Sequence, residues 1–221
     1  MSEPKGLSVY KYKRLAEESL KNAIRLHADS ILLFRAGSFP SSFHLAVLAL
    51  EEFAKAKWID HVYYSAVTNE GFGDPAFEQE WLWLLYSHTE KQYAFVAREE
   101  FDFSPRLVRF IKSKKLEQKK QQAIYVGLEK MGKRIDTTGR ISTPGRIKEA
   151  DAKQIISLVN QELVDVFCLI EQNETYFGIE ALDELIYPAL RHFLFAWPHR
   201  SGLKSRLRFF KQHIAKVQQG A

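Results

Sequence analysis

The 221-residue chain has one cysteine, Cys168. A lone thiol excludes a disulfide scaffold and a cysteine-rich zinc module. No apolar run approaches the roughly 18–20 residues that a membrane span needs. The opening residues, MSEPKGLSVYKYKRLAEESL, contain no apolar stretch of the kind a signal peptide carries. These gaps point to a reducing, cytoplasmic protein without membrane contact. A glycine-rich phosphate loop is also missing, since Gly127, Gly132 and Gly139 are spread too widely. There is no serine nucleophile elbow, no internal repeat and no convincing strand alternation.

What is present suits a folded protein. Hydrophobic residues make up 46% and aromatics 13%, which excludes disorder for most of the chain. A chain of this length buries roughly 70% of the surface its unfolded form exposes. The expected division is one helical domain over residues 1–198, with a long loop at 127–146, and a basic tail over 199–221.

The net charge of +5 is unevenly placed. Lys112 to Lys120 reads KSKKLEQKK, and His199 to Lys216 contains no acid at all. These two segments hold more than the whole surplus, so the remainder is net acidic. Clustered cations gain from releasing counterions on a phosphate backbone. That makes Lys114, Lys115, Lys119, Lys120, Arg200, Lys204, Arg206, Arg208 and Lys211 candidate nucleic-acid contacts. The other reading is a solvated helix face and a basic tail.

Apolar spacing predicts an all-α fold. One helix runs from Val9 to Phe34, and a second from Pro40 to about Val67, on a core stripe of Phe43, Val47, Leu50, Ala54 and Trp58. Asp74–Pro75 and Ser104–Pro105 are start signals for a third helix reaching about Glu100 and a fourth reaching about Val126. A fifth spans about Lys148 to Tyr176. A shorter one, about Glu180 to Trp197, has Pro188 inside it, which should kink or divide it. The basic tail forms a last helix. The expected architecture is a single bundle of about six to seven helices, with long antiparallel members.

Polar residues interrupt two of these stripes. On the second helix, Glu51 and Glu52 break an otherwise apolar run, with Lys55 four residues after Glu51. On the third helix, His88 shares a face with Trp81 and Phe95 and should point inward, and Lys91 follows one turn later. A carboxylate among apolar side chains is costly unless paired. Glu51 or Glu52 should therefore meet His88 or Lys91 across the helix interface, and Lys55 should pair with Glu51. Two readings stand: a buried clamp that fixes helix register, or a small active site of Glu51, Glu52, Lys55, His88 and Lys91. A histidine poised by a carboxylate performs acid–base chemistry near neutral pH. Beside a basic surface, cleavage of an RNA phosphodiester is the natural reaction. Carboxylate-bridged metal sites in bundles use Glu-x-x-His motifs, and no helix here carries one, so neither metal nor cofactor is expected.

The segment HLAVLALEEFAKAKWI, followed by SHTEKQ, resembles the AbiV family of abortive-infection proteins, which belong with the HEPN-like helical domains. The family's Glu-Glu-x-x-Lys is matched by Glu51, Glu52 and Lys55, and its His-x-x-Lys by His88 and Lys91. KKQQAIYVGL and ISTPGRIKEADA resemble later pieces, through Tyr125, Val126 and Pro144, although Gly127 stands where the family tends to carry an acid. The resemblance implies a HEPN-like bundle, a role in phage defence and pairing into a homodimer. It also implies RNA as a target, since many HEPN proteins are metal-independent ribonucleases built on Arg-x4–6-His, matched here by Arg208 and His213. The alternative it leaves is a non-catalytic module that binds a phage or host protein.

Overall fold

A computed structural model of the chain describes residues 6–97, 100–128, 130–131, 134–173 and 178–205. Helix α1 (Val9–Arg35) and helix α2 (Phe39–Ser65) form an antiparallel hairpin. Their turn is set by Gly37 at φ 75°, a conformation that a side chain resists. There the Gly37 amide donates to the Phe34 carbonyl, and the Ser38 amide donates to that of Leu33. This pair of bonds closes the end of α1. Pro40 then sits in the first turn of α2, where its missing amide costs nothing.

Helix α2 is the centre of the molecule. It packs against α1, α4 (His88–Ala97), α6 (Lys115–Gln122) and α7 (Glu149–Asn173). It therefore buries residues on more than one face: Phe43, Val47, Leu50 and Ala54 on the expected stripe, and also Ala46, Ala49, Phe53 and Ala56. The alanines leave little bulk between α2 and its neighbours. Trp58 is only half-buried.

Polar ties fix the other helices. His27 is wholly buried in α1, and its Nε2 lies 3.0 Å from Asn160 Oδ1 of α7. Burial pushes its imidazole down to about 4. Asn160 donates to the Leu194 carbonyl of α9 (Pro188–Phe195), and Trp197 donates through Nε1 to Ser157 Oγ. Asp60 of α2 accepts from the amides of Gly178 and Ile179, just ahead of the short α8 (Glu180–Asp183).

Several expected elements are divided. The third helix is two: α3 (Pro75–Leu84) and α4, separated by a turn at Leu85–Ser87. There the amides of Tyr86 and Ser87 donate three residues back, to Trp83 and Leu84. The fourth is α5 (Pro105–Lys112) and α6, broken at Lys114 with φ 58°. Pro188 divides the last helix, leaving α8 and α9. The 127–146 loop holds the two-residue strands β1 (Lys130–Met131) and β2 (Arg134–Ile135), paired antiparallel, and a 3-10 turn at Pro144–Arg146. Gly127 and Ser142 bond to each other in both directions across its base. Cys168, on the fifth predicted helix, is half-buried. The helix expected over the basic tail lies largely outside the described residues. Among the described residues, no helix is long and apolar enough to cross a membrane.

The left-handed Lys114 aims α6 at α2. An L side chain in this conformation is strained by about 1–2 kcal/mol. Glycine removes that strain but is more flexible when unfolded. Lys114→Gly is therefore expected to raise stability by roughly 0.5–1 kcal/mol in urea melts. An unchanged or lower midpoint would contradict the strain.

Candidate functional site

The site forms where α4 and α6 meet the middle of α2. Glu51 is completely buried. Its Oε2 lies 2.6 Å from His88 Nδ1. Its Oε1 accepts from Gln92 Nε2 at 2.7 Å and from Lys120 Nζ at 2.8 Å. Lys91 Nζ stands 3.8 Å from Oε2. Glu52, one residue on, accepts from Lys91 at 3.2 Å and from Lys55 at 3.1 Å. Lys55 thus pairs with Glu52 at i,i+3 and not with Glu51, as the spacing had suggested.

Glu117 completes the cluster. Its Oε2 meets Lys120 at 2.7 Å and Gln92 Nε2 at 2.8 Å, and its Oε1 accepts from Gln121 at 2.7 Å. Burial alone would raise the Glu117 carboxyl, but the bonds from Lys120 and Gln121 outweigh it and hold it below the usual range. Glu52 behaves alike, with burial opposed and overcome by Lys55 and Lys91. His44 is also near, with Nδ1 3.4 Å from the Lys120 carbonyl, and burial pushes its ring below the ordinary imidazole value.

Three carboxylates (Glu51, Glu52 and Glu117) face three ammoniums (Lys55, Lys91 and Lys120). The ion pairs balance without His88. That ring is 51% exposed, whereas Glu51 and Lys120 are sealed. The inward orientation expected for His88 assumed one continuous helix. The turn at Leu85–Ser87 resets the helical phase, so the ring sits at the rim. Trp81 is buried, while Trp83 on the same helix is 76% exposed. Because a carboxylate only accepts, His88 Nδ1–H donates to Glu51. Nε2 is left to exchange protons.

Glu51, His88 and Glu117 each place a ligand atom within 4.8 Å of the others, a spacing that could hold a metal ion. The Lys120 ammonium already bridges the two carboxylates. A divalent ion would have to displace it.

The basic residues are mostly engaged. Lys120, expected at a polyanion surface, has a side chain only 1% exposed. It shares an inward stripe with Leu116 and Ala123, both buried. That spacing was the signal in the sequence, hidden within a run of lysines. Lys119 pairs with Asp151 at 2.6 Å. Lys204 is buried between Asp165 and Glu162, beside a short bridge to Phe103. Lys114, Lys115 and Arg200 are exposed. Arg206, Arg208, Lys211 and His213 lie outside the described residues. Glu117 and Gln121 are not singled out by the sequence, because the residue that joins Glu117 to Glu51, Gln92, comes from another helix.

The family profile described as AbiV, of the HEPN group, matches residues 11–165. The chain belongs to the HEPN_AbiV family. That span contains every member of the cluster, from Glu51 to Gln121. Membership in the AbiV family points to abortive infection, a phage-defence role. No curated protein and no solved structure is significantly similar to this AbiV-family chain.

Removing one member of a buried ion pair strands the other. Lys120→Ala is expected to cost about 3–5 kcal/mol of stability in urea melts. Lys115→Ala, at an exposed position, is expected to change it by no more than about 0.5 kcal/mol. Equal effects of the two substitutions would contradict the assignment.

Proposed function

We propose that this AbiV-family chain acts on RNA in the cytoplasm of an infected cell, with His88 as the acid–base group and Glu51 as the residue that positions it. The supporting observation is the 2.6 Å contact between a half-exposed imidazole and a fully buried carboxylate. Glu51 is held by donors from two other helices, so the ring is oriented before any substrate arrives. In the reaction, His88 Nε2 takes the proton of a ribose 2′-hydroxyl. The freed oxygen attacks the neighbouring phosphorus, and the 5′-oxygen leaves with a proton from water. The products are a 2′,3′-cyclic phosphate and a 5′-hydroxyl. Lys91, buried behind the ring with its ammonium 3.8 Å from the same Glu51 oxygen, adds positive charge to the field at the developing phosphorane.

A homodimer belongs to the same proposal. Trp83 and Tyr86 are both 76% exposed, and they lie just ahead of His88 in the chain. Pairing of two copies there would cover these rings and bring the second chain to the site. Light scattering should then give twice the chain mass for the wild type and a shift toward the monomer for Trp83→Ala. A wild-type monomer at working concentrations would refute the pairing.

The sealing of Glu51, Lys91 and Lys120 favours a second reading. In it the cluster is only a clamp, and the chain is a helical module that binds a phage or host protein. His88→Ala separates the two. Its product should fold, by circular dichroism, yet lose phage protection and the cleavage of total RNA that wild type performs in EDTA. A folded variant that protects fully would remove His88 from the function. RNA left intact by wild type under all conditions would leave the binding module.

A further inference from the structure

On the far side of Glu117 from His88 lies a cleft of about 730 Å³, between the outer face of α6, the segment 125–128 and Ser142. Glu117 joins the two places. It lines the cleft, and its carboxylate lies within 4.8 Å of the His88 ring nitrogen. We propose that this cleft binds an unpaired nucleobase of single-stranded RNA and so selects where the strand is cut. The proposal rests on the ribonuclease reading of His88.

Among the described residues the lining contains no lysine or arginine, so these walls do not suit a phosphate. They do suit a flat, uncharged and polar group. Gln118, Gln121 and Gln122 supply amides, each of which can donate and accept. Tyr125 is 61% exposed and offers a ring for stacking. Leu128 adds an apolar wall. Among the described residues, no atom beyond its chain neighbours lies within 4 Å of where a side chain at Gly127 would begin, so there is open space there.

Ser142 provides the second observation. It is only 6% exposed, and its hydroxyl has no partner among the described residues. Its backbone amide and carbonyl are both spent on Gly127. A buried hydroxyl without a partner is costly, and a base edge entering the cleft would satisfy it. Lys115, Gln118 and Gln122 follow one another along one side of α6, at three- and four-residue steps. An exposed cation therefore stands at one end of the amide row, where a flanking phosphate would lie. A base in the cleft would leave its ribose and phosphate toward His88.

The test uses the full chain, EDTA and fluorescein-labelled 2′-O-methyl oligo-A, oligo-U and oligo-C, which lack the attacking hydroxyl. Anisotropy should show one homopolymer bound more tightly than the others. Tyr125→Ala should weaken that binding about tenfold and erase the preference, whereas Tyr125→Phe should keep both. Lys115→Ala should weaken all three homopolymers alike. Equal affinity for the three, no effect of Tyr125→Ala, or no binding at all would overturn the proposal. Unmodified oligomers separate this proposal from the one it rests on. Base-selective binding without cleavage would keep the cleft and remove the catalytic role of His88. Cleavage of all three at one rate, unchanged by Tyr125→Ala, would keep His88 and remove the cleft.

Discussion

A carboxylate taken fully out of water costs several kcal/mol unless charge and hydrogen bonds replace the lost hydration. Glu51 stands in the middle of α2, the most enclosed helix of the protein, and has no contact with solvent. No residue of α2 supplies its direct partners. They come from α4, through His88, Gln92 and Lys91, and from α6, through Lys120. Both helices are short, and each begins at a break, the turn at Leu85–Ser87 and the left-handed Lys114. Those breaks let the two helices approach α2 at angles that a continuous helix could not provide. The buried charge and the divided helices are thus parts of one solution.

The same constraint changes the meaning of the chain's positive charge. In sequence, Lys112–Lys120 reads as a cationic patch. In the fold, Lys112 meets Glu100, Lys119 meets Asp151, and Lys120 is consumed by Glu51 and Glu117. Lys204 of the second basic segment is likewise absorbed by Glu162 and Asp165. Much of the surplus therefore holds helices together. The exposed remainder in the first segment is Lys114 and Lys115, beside the polar cleft.

The features legible in the sequence were those set by neighbours along the chain. Gly37, Pro40, Asp74–Pro75 and Ser104–Pro105 mark helix ends because they act on local backbone geometry. The meeting of the Glu51–Glu52 pair with His88 and Lys91 also followed, because charges on an apolar stripe must find each other. Two kinds of feature stayed hidden. The turn at Leu85–Ser87 contains neither glycine nor proline, so periodicity ran through it and turned His88 the wrong way. Lys120 and Glu117 looked like members of a solvated run, because the carboxylate that calls Lys120 inward is 69 residues away.

The cluster is assembled from three stretches of chain, around residues 51, 88–92 and 117–121. A growing chain exposes them in that order as it leaves the ribosome. Until Lys120 has emerged and docked, Glu51 lacks its most deeply buried counter-charge. The contact between His88 and Glu51 is in this way tied to the docking of α6, the last of the three stretches to be made.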